Sequence, residues 1–171
     1  DAHTQAGCPE RPIEVTFPTK MSPLFKIRDF GDALSDQEIQ DVYAFYGEST
    51  KRNTNDQIGM LGIGSKSAFA YGDNFVINSF IGTEDTDEEN GIEIVVPVRD
   101  GDEEKFVSKG KDLFEWFKVR PIVKGTSQFH YQDGKILFSG EGWQWRESDY
   151  NRYNRGEATV VMGNIGYPID Q

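Results

Sequence analysis

A glycine-rich segment in the first half of the chain reads Gly59-Met60-Leu61-Gly62-Ile63-Gly64-Ser65-Lys66-Ser67-Ala68-Phe69-Ala70. Glycine allows a positive φ and a close approach of the backbone to a ligand. The residues that follow can open a helix, whose first N–H groups have no partners inside the helix. With the ammonium of Lys66 and the hydroxyls of Ser65 and Ser67, those N–H groups would form an anion site suited to phosphate. The same glycines would also serve a turn that only packs a helix on a strand.

Two known phosphate loops do not fit this segment. A Walker A loop requires G-x-x-x-x-G-K-[ST], whereas a serine separates Lys66 from Gly64. A dinucleotide-binding fingerprint directly follows a β-strand, whereas residues 51–56 read Lys-Arg-Asn-Thr-Asn-Asp and form a polar loop. The segment is therefore a third kind of phosphate loop, or it binds no phosphate.

Composition limits the classes of function. At 171 residues the chain has the length of one domain, or of one domain and a fragment of another. Its net charge of −11 disfavours direct binding to nucleic acid, although an acidic protein can still bind a nucleotide through Mg²⁺ and a local group of N–H donors. The single cysteine, Cys8, excludes a disulfide framework and fits a reducing cytoplasm. The sequence contains no stretch of membrane-spanning length and no visible signal peptide.

Hydrophobic periodicity predicts a mixture of strands and helices. Strands are predicted at residues 13–17, 24–29, 75–80 and 91–98. Helices are predicted at residues 1–6, after the capping box Ser35-Asp36-Gln37-Glu38, and at residues 103–117 behind a cap at Asp100-Gly101-Asp102. The core positions of the last helix would be Phe106, Leu113, Phe114 and Phe117. Beyond residue 119 short strands are predicted at residues 142–146 and 158–162, with a hairpin in which residues 128–131 and 135–138 flank Asp133-Gly134.

Asp29 closes the second predicted strand and is the most informative carboxylate of the sequence. Period two places it on the same face as Phe25 and Ile27. A carboxylate on an apolar face is unfavourable unless a donor bonds to it. That donor is either a backbone N–H of the following turn or the exocyclic amino group of a bound base.

A polar loop at residues 48–56 precedes the glycine-rich segment and carries Ser49, Thr50 and Lys51. Loops of this length beside a phosphate-binding turn are often mobile lids. The alternative interpretation is a plain solvated loop.

Three segments, taken in order, resemble the GHKL superfamily of ATP-binding domains, which includes gyrase B, the MutL repair proteins, the large heat-shock chaperones and the histidine kinases. Asp29-Phe30-Gly31-Asp32-Ala33-Leu34, residues 59–69 and Asn90-Gly91-Ile92-Glu93-Ile94 look like the first, second and third glycine boxes of the family. Asp1-Ala2-His3, followed by Ala6-Gly7, looks like the end of the helix that bears the N-box. Within the superfamily the chain is most similar to the phage rapid-lysis protector family, the A protein of the rII locus, through residues 20–31, 49–52, 64–71 and 162–169.

The resemblance implies an α+β fold, a two-layer α/β sandwich of the Bergerat ATP-binding type with a small β-rich C-terminal appendage. Residues 1–118 would form the ATP-binding domain, with its N-box helix truncated at the start. Residues 119–171 would form the appendage or the start of a second domain.

The resemblance also implies a site for ATP and Mg²⁺. Asp29 would accept the adenine amino hydrogen, Gly31 would let the base pack against the backbone, and Gly91 would border the adenine pocket. Thr50 and Lys51 would lie at the lid. The residues that would cradle the phosphates are Gly59, Gly62, Gly64, Ser65, Lys66 and Ser67.

The chain departs from the family pattern at several positions. Ala33 stands where the first box usually has a second glycine, and Ile92 stands where the third box usually has threonine. The magnesium-binding Asn and the catalytic Glu of the N-box helix would lie upstream of Asp1. A longer protein that includes them is expected to be a weak Mg²⁺-dependent ATPase. This segment alone is not expected to hydrolyse ATP at a useful rate. Residues 80–90 are also too few for the further strands of the family, so either a hairpin was lost or the chain joins segments that are not contiguous.

The leading functional expectation is an ATP-driven conformational switch in phage lysis control and anti-exclusion. Its setting would be the cytoplasm of the host bacterium. The expectation includes peripheral association with the inner face of the membrane, a phage or host protein as partner, and a homodimer. The alternative is a degenerate, non-catalytic interaction module that binds another protein through its acidic surface. Direct binding of nucleic acid is not expected, because the chain has no basic stripe.

Overall fold

The computed structural model describes residues 2–44, 68, 70–82, 89–131, 136–141, 143–146, 159–162 and 164–168. Its helices are α1 (Ala2–Gln5), α2 (Asp36–Ala44) and α3 (Glu103–Phe114). Its strands are β1 (Glu14–Thr16), β2 (Leu24–Arg28), β3 (Val76–Phe80), β4 (Gly91–Pro97), β5 (Ile122–Lys124), β6 (Ile136–Gly140), β7 (Trp143–Arg146), β8 (Thr159–Met162) and β9 (Ile165–Pro168). None of the helices in these ranges is long and apolar enough to cross a bilayer.

The main sheet is mixed and has the strand order β3-β4-β2-β1-β5. Neighbouring strands pair antiparallel except β1 and β5, which pair parallel with Val15 opposite Val123. The β2–β4 register runs from Leu24 opposite Pro97 to Arg28 opposite Glu93. Helices together with a mixed sheet confirm the α+β class predicted from the sequence.

One face of the sheet is apolar and packs against α3. Alternation along β1 and into the following residue puts Val15 and Phe17 on this face, and their side chains are 0% and 1% exposed. The Phe17 ring lies against the helix backbone at Gly110, where an added Cβ would be 2.3 Å from Phe17 Cζ. Phe114, which is 4% exposed, completes the contact from α3. Burial of one such phenylalanine contributes about 1.5–3 kcal/mol, so this cluster is a main source of stability.

The helix starts confirm one predicted cap and correct another. At α2 the Glu38 N–H donates to Ser35 Oγ at 3.3 Å and the Ser35 N–H donates to Glu38 Oε2 at 2.8 Å, which is the predicted capping box. At α3 the Asp102 side chain makes no capping bond. Its carboxylate instead accepts from Tyr71 Oη at 2.9 Å and from Lys105 Nζ at 2.6 Å, because these stronger donors compete for it.

The end and the core face of α3 also differ from the prediction. The helix ends at Phe114, and residues 115–117 continue only as a turn in which the Phe117 N–H donates to Phe114 O at 3.2 Å. Leu113 was predicted to be a core residue, but it is 43% exposed. One turn of helix presents a limited arc to the sheet, and Gly110 and Phe114 occupy that arc here.

The predicted hairpin around Asp133-Gly134 is wrong. Residues 128–131 form no strand, and β6 pairs with β7 instead. Packing of two aromatic side chains explains the absence of this strand. Phe129 stacks on Phe17 with 5.5 Å between the ring centroids, and Tyr131 Oη donates to Pro121 O at 2.5 Å. The strands predicted at residues 142–146 and 158–162 are present as β7 and β8, and β8 pairs with β9.

Candidate functional site

Asp29 directly follows β2 and lies where the ends of β2 and β4 meet. Its N–H donates to Ile92 O at 2.9 Å. Its carboxylate atom Oδ1 accepts from the N–H of Gly31 at 3.0 Å and, at 3.4 Å, from that of Ile92. Within the described residues, Oδ2 has no hydrogen bond. The turn N–H expected from the sequence is thus present, and it uses one of the two carboxylate oxygens of a half-buried side chain.

Two predicted site glycines, Gly91 and Gly31, lie beside Asp29. Gly91 has a φ of +138°, and an added Cβ would be 2.1 Å from Asp29 O. Gly31 is buried against α1, where an added Cβ would be 2.8 Å from Ala2 Cβ. Both positions therefore require glycine for packing within the chain, whether or not a ligand binds.

His3 connects α1 to this turn. The Phe30 N–H donates to His3 Nε2 at 2.7 Å, and His3 Nδ1 lies 2.7 Å from Arg11 O. Because Nε2 accepts a hydrogen bond, the ring carries its hydrogen on Nδ1 and donates it to Arg11 O. His3 is 8% exposed, so this bridge is shielded from water and holds Phe30 in place between Asp29 and Gly31.

Two arginines, Arg11 and Arg28, form a cluster with the rings of Phe30 and Phe80. Arg11 Cζ lies 3.7 Å from the Phe30 ring centroid, and Arg28 Cζ lies 3.8 Å from that of Phe80. Arg28 is 9% exposed and donates from Nη2 to Glu89 O at 2.6 Å, while its Nη1 is buried with no partner in the described part of the chain. Arg11 pairs with the Glu89 carboxylate, and this hydrogen bond lowers the pKa of Glu89. The cluster fastens the start of β4 to the turn that carries Asp29.

The loop after Asp29 is tied to β3 by one serine. The Leu34 N–H donates to Ser79 Oγ at 2.8 Å, and the Ser79 hydroxyl donates to Leu34 O at 2.6 Å. The loop at residues 29–35 is therefore held at its start by β4 and at its end by β3.

The chain that leaves the glycine-rich segment is fastened to the start of α3. Ala68 O accepts from the N–H of Tyr71 at 3.1 Å and from that of Gly72 at 3.2 Å. Tyr71 Oη donates to Asp102 and accepts from the Arg99 N–H at 3.0 Å. The pKa of Asp102 is lowered, first by the hydrogen bond from Lys105 and then by that from Tyr71.

Sequence reasoning identified Asp29, Gly31 and Gly91, and the structure brings these three together. It missed His3, Arg28 and Ser79, because each forms hydrogen bonds with backbone atoms of a segment that is distant in sequence. The remaining predicted site residues lie outside the described residues, and their roles stay predictions: Ser49, Thr50, Lys51, Gly59, Gly62, Gly64, Ser65, Lys66 and Ser67. No group of His, Cys, Asp and Glu able to hold a metal ion occurs among the residues that the structure describes.

Comparisons with known proteins add no identification. No protein-family model matches the chain, and a search of curated proteins found no match. The function is therefore argued from the geometry around Asp29.

Proposed function

We propose that this chain is a GHKL-type ATP-binding domain that works as a nucleotide-dependent switch. In this proposal the main sheet and α3 are two layers of a Bergerat-type sandwich. The adenine lies at the loop of residues 29–35, and the triphosphate lies over the glycine-rich segment. We further propose that the switch serves phage lysis control and anti-exclusion in the host cytoplasm and acts on a phage or host protein partner.

The proposal depends on one observation, which is the hydrogen bonding of the two Asp29 carboxylate oxygens. Two backbone N–H groups engage Oδ1, while Oδ2 has no partner within the described residues. A carboxylate oxygen that is oriented in this way suits the exocyclic amino group of adenine, because hydrogen bonds to charged acceptors are the stronger ones. It disfavours guanine, which has a carbonyl oxygen at that position.

A second observation supports the proposal at the level of segments. The end of the proposed N-box helix in α1, the first glycine box and the third glycine box are far apart in sequence. They converge through the contacts of Gly31 with Ala2 and of Gly91 with Asp29. Mg²⁺ belongs to the proposal through the N-box Asn of the family pattern, and among the described residues no group of three or more His, Cys, Asp and Glu side chains is placed to hold a metal ion. Hydrolysis, in this proposal, is a slow reset step carried out by the N-box Glu of the family pattern.

The test is titration of ATP with Mg²⁺ into the chain and into its Asp29→Asn variant by calorimetry. The amide keeps an oxygen for the Gly31 N–H but replaces the second oxygen with a donor, so the turn survives while the adenine amino group loses its acceptor. We expect ATP to bind more tightly than GTP, and Asp29→Asn to weaken ATP at least tenfold, as the loss of about 1.5–3 kcal/mol implies.

The matched control is Asp32→Asn, which removes an exposed carboxylate from the same loop and should leave affinity unchanged. Equal binding of ATP by the native chain and by a folded Asp29→Asn variant would disprove the adenine contact.

The competing function is a non-catalytic interaction module. It is favoured by the packing of Gly31 and Gly91, which explains both glycines without a ligand, and by the departures at Ala33 and Ile92. This alternative predicts that neither ATP nor ADP binds to the native chain or to the variant, so the same titration separates the two functions.

A further inference from the structure

The hairpin of β6 and β7 carries an aromatic face, defined here by Phe138, Gly140, Trp143 and Trp145. Phe138 is directly opposite Trp145, and Gly140 is directly opposite Trp143. Cross-strand partners and residues two apart on one strand share a face of a sheet. An added Cβ at Gly140 would be 2.4 Å from Trp143 Nε1, so the indole lies across the backbone of the opposite strand.

This aromatic face is exposed. Phe138, Trp143 and Trp145 are 67%, 56% and 63% exposed. At 150–250 Å² per aromatic side chain, the exposed ring area is roughly 400 Å², which is the size of the largest apolar patches on ordinary monomers. A two-stranded hairpin is also only marginally stable on its own in water. Such patches are often functional, so the aromatic face is a candidate interaction surface.

The charge distribution indicates which partner fits the aromatic face. The four residues of the aromatic face are uncharged and Arg146 is the single charged residue of β6 and β7, whereas the whole chain has a net charge of −11. A basic partner would be drawn to the acidic surface elsewhere and not to an uncharged face. Two copies of the chain, however, repel each other least where each is uncharged. A second copy also brings an equally apolar face of matching size.

We propose that two copies of this chain associate through their aromatic faces about a two-fold axis. The hairpins then pack face to face as two small sheets, with the same residues contributed by each copy. If about 60% of the buried surface is apolar, the interface buries about 1,300 Å² in total, at the lower end of stable interfaces.

Sedimentation equilibrium over a wide concentration range tests the proposal. The native chain should show a monomer–dimer equilibrium, and Phe138→Glu should raise the dissociation constant more than tenfold. The control is Met21→Glu, which adds the same charge at an exposed side chain between β1 and β2 and should leave dimerisation unchanged. A native chain that stays monomeric at all concentrations overturns the proposal and leaves the aromatic face to a different partner.

A charge-complementation experiment separates an interface from a merely structural effect. The Phe138→Glu and Phe138→Lys variants are each expected to be monomeric, and an equimolar mixture should form a one-to-one heterodimer. Damage to the hairpin alone would not be repaired by mixing. Failure of the mixture to associate, with both variants folded by circular dichroism, contradicts the face-to-face arrangement.

Discussion

Gly91 shows how one residue allows β4 to lie beside the turn of Asp29. Its φ of +138° and the position of its missing Cβ, 2.1 Å from Asp29 O, exclude every other residue type without local rearrangement. The hydrogen bonds of Ile92 to Asp29 depend on this close approach. Gly91 thus positions the carboxylate on which the proposed adenine contact depends.

We expect Gly91→Ala to lower the free energy of unfolding by about 2–4 kcal/mol, since it combines backbone strain with a steric clash. Urea denaturation followed by circular dichroism measures the loss. The matched control is Gly101→Ala, where φ is +84° but no atom lies within 4 Å of the added Cβ. That variant carries only the backbone strain, about 1–2 kcal/mol. Equal losses of unfolding free energy at the two positions would show that the clash with Asp29 O adds nothing to the backbone strain.

The sequence predicted the residue-scale features that are local and missed those that are not. Asp29 was identifiable because a carboxylate interrupts an apolar alternation and a turn sequence follows it. His3 and Arg28 gave no such signal, since their partners are the backbone atoms of Phe30 and Glu89, 27 and 61 residues away. No periodicity encodes a bond between a side chain and a distant carbonyl.

At the scale of elements, the start of α2 is the best-predicted feature. Ser35 and Glu38 exchange the hydrogen bonds that the spacing S-x-x-E predicts. The backbone hydrogen bond from Ser35 lowers the pKa of Glu38, followed in strength by the side-chain bond from Ser35. The box therefore needs Glu38 in its ionised form.

We expect Ser35→Ala to destabilise the chain by about 1 kcal/mol at pH 7, and Glu38→Gln to destabilise it in the same direction. Because folding lowers the pKa of Glu38, its stabilisation is present above the ordinary glutamate pKa and is lost as pH falls through the lowered value. The difference between the native chain and Glu38→Gln should therefore shrink in acid. Denaturation midpoints measured from pH 7 to pH 3 check this, and a constant difference would contradict the role of the ionised form.

The C-terminal elements show why turn signals alone do not predict which strands pair. Asp133-Gly134 is a strong hairpin signal, yet β6 pairs with β7 and not with residues 128–131. Residues 128–131 do not form a strand, because Phe129 and Tyr131 pack in the same core cluster as Val15 and Val123. Long-range burial of aromatic rings thus outweighed a local turn preference.

At the scale of the whole molecule, the main core extends past the predicted division at residue 118. The strand β5 forms the edge of the main sheet, and Phe129 is 9% exposed in the same cluster as Val15 and Phe17. The division of the chain into two domains stays a prediction. The packing nevertheless makes residues 119–131 part of the unit that contains Asp29.

We expect a fragment of residues 1–118 to lose cooperative unfolding, whereas a fragment of residues 1–131 should retain it. The shorter fragment lacks β5 and Phe129, and loss of a buried phenylalanine alone costs about 3–5 kcal/mol. Thermal melts followed by near-ultraviolet circular dichroism distinguish the two fragments. Similar cooperative melts for both would show that the core closes without β5.

The parallel pairing of β1 with β5 has a consequence for biosynthesis. Val15 and Val123 are neighbours in the sheet, but a ribosome working at about 5–20 residues per second needs roughly 5–20 s to make the chain between them. During that interval β1 can pair with β2, while its other edge remains open to intermolecular association. The nascent chain is therefore most prone to aggregate before β5 leaves the exit tunnel.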